Sequence, residues 1–137
     1  GQLDEAAPLY ERVLALEPRC RVTGVTNPWL LIASHIKPWR SCATAAERLD
    51  GANGLMLTPD VDRLFDRGII GFSDEGAVLV SPALVEADLA AMGLAGLAAR
   101  CVGPFTAAQA GYLDWHRRWV FVGGDLRTDS PLEPLME

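Results

Sequence analysis

The fold is decided by the stretch Leu30-Leu31-Ile32-Ala33-Ser34-His35-Ile36-Lys37-Pro38-Trp39, an apolar run with a histidine near its end. A short apolar run is typical of a buried β-strand. Proline ends such a strand because it cannot donate a hydrogen bond to a neighbouring strand. The pattern therefore predicts a strand over residues 30–36, with His35 at its end.

A second stretch, Asn53-Gly54-Leu55-Met56-Leu57, indicates a turn that leads into another apolar segment. Thr58 and Pro59 follow, and threonine before proline is a favourable helix start. We expect this helix to run to Arg67 and to end at Gly68. A strand, a loop and a helix in this order can fold together as a ββα unit, here over residues 19–68.

Such a unit would bring four polar side chains into one cleft, namely those of His35, Asn53, Asp60 and Asp62. A neutral histidine can take a proton from water near pH 7, since its ordinary pKa is about 6.5. Carboxylates hold hard cations such as Mg²⁺, and an asparagine can orient the histidine. The set could therefore hydrolyse a phosphodiester bond.

Each of these residues also has an ordinary structural explanation. Asn53 before Gly54 is a common turn pair, because asparagine tolerates turn backbone angles. Asp60 and Asp62 fall in a first helical turn, where the helix dipole favours negative charge. A single histidine after an apolar strand is most often a core or capping residue, so spacing alone leaves both explanations open.

The rest of the chain predicts additional helices and one hairpin. We expect an N-terminal helix over residues 6–17, a hairpin over residues 69–80 and C-terminal helices over residues 82–121. Ser81-Pro82 is a helix start of the same type as Thr58-Pro59, and Thr106 with Gln109 forms a capping-box pattern. Together these elements predict an α+β fold in a single domain over residues 1–122, followed by a polar tail over residues 123–137.

The composition limits the possible functions. The formal charge of −6 disfavours a protein that coats nucleic acid non-specifically, because that binding depends on Lys and Arg. The acidity lies at the two ends, however, since residues 19–73 hold seven basic and five acidic residues, a net charge of +2. We expect no membrane segment, and the three widely spaced cysteines predict neither a zinc site nor disulfides. This cysteine usage favours a reduced, cytoplasmic location.

The order of these pieces resembles the HNH endonuclease family. The resemblance covers about residues 10–122. It rests on five segments in this order, of which the second holds the histidine, the third the asparagine and the last two are predicted helices. They are Cys20-Arg21-Val22-Thr23-Gly24, Ala33-Ser34-His35-Ile36-Lys37-Pro38-Trp39, Asn53-Gly54-Leu55-Met56-Leu57, Asp60-Val61-Asp62-Arg63-Leu64-Phe65-Asp66-Arg67-Gly68 and Tyr112-Leu113-Asp114-Trp115-His116-Arg117-Arg118-Trp119-Val120-Phe121.

The resemblance implies a ββα-metal core and a role for each matching position. His35 is implied as the general base, and Asn53 is implied to hold the loop that carries it. Asp62 is implied as a ligand of a divalent metal, Mg²⁺ or else Mn²⁺, with Asp60 as a second candidate ligand. Lys37 and Arg40 follow the histidine and are candidate phosphate contacts.

One position departs from the family pattern. Many members carry an acidic metal ligand just before the histidine, and Ser34 stands there in this chain. The leading expectation is a metal-dependent DNA endonuclease of bacterial restriction or defence. The alternative is a catalytically inactive HNH-like module that binds DNA or protein, and a third is a ribonuclease. DNA is the expected partner; an upstream recognition or sensor domain and a second copy of the chain are further candidates.

Overall fold

The order of helices and strands agrees with an α+β fold. The structure, a computed structural model, describes the backbone of residues 2–123 and the side chains of residues 9–123. Helices flank two small antiparallel sheets. The elements are α1 (Gln2–Leu16), β1 (Ile32–His35), α2 (Ala45–Leu49), β2 (Gly54–Leu57), α3 (Pro59–Asp66), β3 (Ile70–Phe72), β4 (Val78–Val80), α4 (Glu86–Ala91) and α5 (Ala107–Trp119).

The first sheet and α3 form the predicted ββα unit. β1 pairs with β2 in antiparallel register, which places His35 opposite Gly54, the residue next to Asn53. β2 is buried along its whole length, because α1 packs closely against it. A side chain at position 54 would collide with Val13 of α1, so glycine permits this close approach.

Helix α3 begins at the predicted residue and ends at Asp66, one residue before the predicted limit. Its buried residues Val61, Leu64 and Phe65 recur at helical spacing and face the core. Gly68 lies two residues after the end of the helix, and its φ of +73° lies in the left-handed region that favours glycine. A Cβ at Gly68 would also collide with the carbonyl oxygen of Val120, so the chain after α5 lies directly against the end of α3.

The second sheet and α5 also agree with the predictions. β3 and β4 pair as an antiparallel hairpin on either side of residues 73–77. Thr106 and Gln109 form the reciprocal capping box at the start of α5. The buried face of α5 presents Gln109, Leu113 and His116, and it packs along β3.

Arg21 connects the N-terminal and C-terminal parts of the fold. Its guanidinium forms an ion pair with Glu17 at 2.7 Å and donates to the carbonyl of Gly103 at 2.9 Å. The same group lies 4.2 Å from the centre of the Phe105 ring. Glu17 in turn accepts a hydrogen bond from Gln109 of α5. A half-buried network thus anchors the start of α5 to the residues that follow α1.

Other predicted element limits also differ from the structure. α1 begins at Gln2 rather than at residue 6, and the Leu, Glu and Ala residues among positions 2–7 have a high intrinsic helix propensity. The predicted strand at residues 30–36 is shorter, because residues 28–30 form a 3₁₀ turn that the side chain of Asn27 caps. The helix predicted from Ser81-Pro82 starts only at Glu86. The side chain and carbonyl of Ser81 accept from the next residues and close a turn instead.

Two further predictions concern membrane-spanning helices and the C-terminal tail. No helix among residues 2–123 combines the length and apolar character that a bilayer crossing requires. The predicted polar tail begins at Gly123, which lies outside the helices and strands, and its residues 124–137 fall outside the described part of the chain.

Candidate active site

His35 lies at the end of β1 with one ring nitrogen already engaged. Its Nε2 is 2.9 Å from the carbonyl oxygen of Arg48. A carbonyl can only accept, so Nε2 carries the proton and donates, which leaves Nδ1 as the acceptor in the neutral ring. The ring is half-buried, and the Trp39 ring packs edge-on against it with centroids 5.9 Å apart. The contacts therefore fix both the tautomer and the orientation of His35.

Asn53 is fully buried and holds the loop that follows His35. Its Oδ1 accepts from the backbone N–H of Lys37 at 2.8 Å, and its Nδ2 donates to the carbonyl of Glu47 at 3.1 Å. The same amide group contacts the carbonyl of Lys37 and the thiol of Cys42. These bonds connect the backbone just after His35 with Glu47 of α2. Because Arg48 is the next residue of α2, Asn53 indirectly fixes the carbonyl that orients His35.

Lys37 is engaged inside the same loop. Its ammonium forms an ion pair with Glu47 at 3.0 Å and lies 5.5 Å from the centre of the Trp115 ring. The N–H of Ala43 and the Lys37 ammonium both lower the pKa of Glu47. Arg40, in contrast, is exposed on the surface of the loop. Of the two predicted phosphate contacts, Arg40 is the more accessible.

Asp62 lies in the first turn of α3 beside the end of β1. Its carboxylate accepts a hydrogen bond from Ser34, the residue before His35. Burial raises the pKa of Asp62, and the nearby negative charge of Asp66 raises it further, while the Ser34 hydrogen bond opposes the shift. The site thus places a half-buried, unfavourably charged carboxylate next to the strand end that carries the histidine.

Asp60 plays a different structural role from Asp62. Its Oδ1 accepts from the Thr58 hydroxyl at 2.7 Å and from the N–H of Val61 at 2.9 Å. Asp60 therefore accepts a hydrogen bond from a free N–H group at the start of α3. The side chain of Thr58, at the N-cap position, does not cap the helix itself. The Oδ1 of Asp60 is committed to the helix, so Asp60 is the weaker of the two candidate metal ligands.

The metal-ligating groups around this site are few. Among the side chains of residues 9–123, no three His, Cys, Asp or Glu groups cluster closely enough to form a metal site by themselves. Mg²⁺ is commonly bound by one or two carboxylates together with waters and substrate phosphates. The site therefore fits that mode of binding better than it fits an all-protein cage.

Sequence reasoning did not identify two parts of this site. The first is the carbonyl of Arg48, because a backbone acceptor has no signature in the sequence. The second is a cavity of about 700 Å³ beside Trp39, between the loop after His35 and the ends of α3 and α5. The exposed Trp119 at the edge of this cavity is the residue that could have indicated it. In the sequence, however, Trp119 cannot be distinguished from a core residue.

The last histidine of the chain lies outside the site. His116 is 1% exposed and stacks on Phe65, with ring centroids 4.0 Å apart. Its Nε2 is 2.8 Å from the Phe65 carbonyl oxygen, so this ring too is held as the Nε2–H tautomer. Burial lowers the pKa of His116 to about 4. The ring is a packed, neutral side chain.

A family model and a solved structure are similar to parts of this chain. Residues 20–73 match the model of the HNH endonuclease family. No curated protein gives a significant match. One similar solved structure is a modification dependent TagI restriction endonuclease, with 16% sequence identity and a TM-score of 0.45. That alignment covers 91% of this chain and 38% of the other, so this chain spans less than half of that protein. The family match confirms the predicted resemblance over residues 20–73, which make up less than half of the chain.

Proposed function

We propose that this chain is a metal-dependent DNA endonuclease that hydrolyses phosphodiester bonds, with His35 as its general base. The observation that carries the proposal is the 2.9 Å contact between His35 Nε2 and the Arg48 carbonyl oxygen. It holds the ring in the tautomer whose Nδ1 can accept a proton. A histidine so held at a strand end, in a segment that matches the HNH endonuclease family, is suited to activating water.

His35 would take the proton from a water molecule as that water attacks phosphorus. General-base catalysis of this kind contributes about 10²–10⁴-fold to a rate. Asn53 does not touch the reacting atoms in this scheme. It is a positioning residue, because it fixes the loop and therefore the carbonyl that orients the His35 ring.

Asp62 is the residue that best fits a divalent metal such as Mg²⁺ or Mn²⁺. Its carboxylate is half-buried beside the Ser34 oxygen, and burial together with Asp66 disfavours its charge, which a cation would relieve. When bound, the metal supplies charge neutralisation at the phosphate and stabilisation of the leaving oxygen. Asp60 could contribute only its second oxygen, since Oδ1 is committed to the start of α3.

DNA is the proposed substrate on the basis of family and charge. The exposed Arg40 lies close to His35 along the loop and can contact a phosphate. The net charge of +2 over residues 19–73 favours a polyanion at this part of the surface. A role in bacterial restriction or defence and a cytoplasmic location are proposed from the family resemblance alone.

Cleavage of supercoiled plasmid tests the proposal. The protein is incubated with plasmid and Mg²⁺, Mn²⁺ or a chelator, and the products are separated on agarose beside those of the His35→Ala variant. We expect nicked or linear DNA only with the wild type and a divalent cation. If no divalent cation supports cleavage, or if His35→Ala cuts equally well, the proposal is wrong.

A second candidate function is an inactive module that binds DNA without cutting it. The observation that favours it is Ser34 in the place of an acidic ligand, together with the small set of ligating groups. This candidate predicts that labelled duplex DNA is retarded in a gel with or without divalent cation, and that no cleavage accompanies binding. Matched DNA and RNA oligonucleotides in the same assay test the ribonuclease alternative.

A further inference from the structure

A cavity of about 700 Å³ opens beside the proposed active site. Trp39 and Arg40 line it from the loop after His35, Asp66 and Arg67 line it from the end of α3, and Trp119 lines it from the end of α5. We call this the Trp119 cavity. Its volume lies within the range of about 300–1,000 Å³ that is usual for ligand pockets. Trp39 also packs against His35, so one residue contacts both the cavity and the proposed general base.

Two features of the Trp119 cavity are unfavourable in the protein alone. Trp119 is 73% exposed, although a large apolar ring gains from burial. The Nε of Arg67 is buried and has no hydrogen-bond partner, although such donors are nearly always paired in native proteins. A ligand with an aromatic face would cover Trp119, and an anionic oxygen on the same ligand would meet the positive charge of the Arg67 guanidinium that lines the cavity.

We infer that the Trp119 cavity binds a nucleotide that flanks the scissile phosphodiester, with its base stacked on Trp119 and its phosphate held by Arg67 and Arg40. Base stacking on an exposed aromatic ring and phosphate binding by arginine are the two interactions by which proteins hold unpaired nucleotides. This inference rests on the proposed function, since it is the position of His35 that makes the bound nucleotide a neighbour of the cleaved bond.

The charge of the cavity is compatible with this occupant. Arg40 and Arg67 provide two positive charges, and Asp66 provides one negative charge. A carboxylate in such a position can accept a hydrogen bond from an exocyclic amino group, as acidic residues do from cytosine. The lining therefore offers a partner to each part of a nucleotide rather than to a phosphate alone.

Binding of a short fluorescent single-stranded DNA, measured by anisotropy in a chelator without divalent cations, tests the inference. Trp119→Ala should weaken binding by at least about fivefold, which corresponds to the lower end of base–aromatic stacking energies. Trp29→Ala is the matched control, because Trp29 is 94% exposed and does not line the cavity. It should leave affinity within about twofold, as is usual for surface substitutions.

A second pair of variants tests the phosphate contact. Arg67→Lys keeps the positive charge but removes the planar guanidinium that can bind a phosphate with two donors, and we expect it to weaken binding of the same oligonucleotide. Arg19→Gln is the control, since Arg19 is exposed and lies outside the cavity. Circular dichroism melting of each variant shows whether it is folded, and Trp119→Ala is expected to fold because its ring is mostly in solvent.

The outcomes separate this inference from the proposed function. Equal affinity of Trp119→Ala and Trp29→Ala overturns the nucleotide subsite, even if the wild type cleaves plasmid and His35→Ala does not. Weaker binding by Trp119→Ala together with no cleavage by the wild type supports the subsite and overturns the proposed function. Weaker binding together with cation-dependent cleavage supports both.

Discussion

The two histidines of this chain have the same hydrogen bond and opposite surroundings. In each, Nε2 donates to a backbone carbonyl, that of Arg48 for His35 and that of Phe65 for His116. His35 ends a strand and is half-buried, whereas His116 is 1% exposed and stacked on Phe65. The tautomer is therefore set in the same way at both sites, and only solvent access differs.

This difference shows what a general base requires beyond a fixed tautomer. The free nitrogen of His116 is sealed in the core without a partner, and burial disfavours the protonated ring. His35 has the same nitrogen free in a ring that remains partly accessible. A histidine that must exchange protons with water needs both the carbonyl that fixes its ring and an open side.

The largest expected effect is a difference in cleavage rate between a variant of His35 and a variant of His116. His35→Ala should lower the rate of plasmid cleavage by about 10²–10⁴-fold, because the proposed general base is lost. His116→Gln should leave the rate within a few-fold of the wild type, since this ring does not face the site. Initial rates at a temperature where both variants are folded provide the measurement. A comparable loss in His116→Gln would contradict the distinction drawn between the two rings.

The second effect is on the stability of the folded protein at acid pH, to which His116 contributes. The folded pKa of His116 is about 4 and its ordinary value is 6.5, so below pH 6.5 the unfolded chain binds a proton that the folded chain does not. The contribution of the neutral His116 to the free energy of unfolding is therefore complete above pH 6.5. It is lost as the pH falls toward 4, by about 3 kcal/mol in all. Urea denaturation across this window should show a shallower loss in His116→Gln than in the wild type. Parallel plots of unfolding free energy against pH for the two proteins would refute this prediction.

A third effect tests how the site around His35 is held. Asn53→Ala leaves the N–H of Lys37 and the carbonyl of Glu47 without their buried partner, which should cost about 2 kcal/mol of unfolding free energy. The same change should also lower cleavage, because the loop no longer fixes the Arg48 carbonyl. Unfolding curves and rates measured on one preparation test both. Full activity in a destabilised variant would show that Asn53 supports the fold alone.

The smallest effect concerns the carboxylate beside His35. Burial and Asp66 raise the pKa of Asp62, so its charge opposes folding at neutral pH, and Asp62→Asn should slightly raise the melting temperature in a chelator. In the wild type, added Mg²⁺ or Mn²⁺ should raise the melting temperature, and this rise should disappear in Asp62→Asn. Asp60→Asn, on the same helix turn, should retain more of it. An undiminished rise in Asp62→Asn would rule out Asp62 as the principal ligand.

Much of the architecture could be predicted because it depends on local signals. The hairpin of β3 and β4, the capping box at Thr106 and the limits of α3 each follow from residues within one or two turns. The helix predicted at Ser81-Pro82 began later because the same residue pair can also close a turn. Here the competing local conformation, rather than tertiary packing, was decisive.

The candidate site was less predictable, because its geometry depends on the backbone and on distant contacts. Sequence order predicts His35, Asn53 and Asp62 as site residues, but the Arg48 carbonyl that orients the histidine has no signature in any side-chain pattern. Asp60 and Asp62 were equivalent in the sequence, and only the hydrogen bonds of Asp60 to Thr58 and Val61 distinguish them. The roles of the site residues stay predictions until the variants are measured.

The contacts of Asn53 also have a consequence for the order of folding. The bond that orients His35 spans 13 residues and those of Asn53 span at most 16, whereas His116 must reach across 51 residues to Phe65. Closing short loops costs less chain entropy and precedes long-range docking. We therefore expect the loop around His35 to form early and α5 to dock late, so that substitutions at His116 mainly accelerate unfolding.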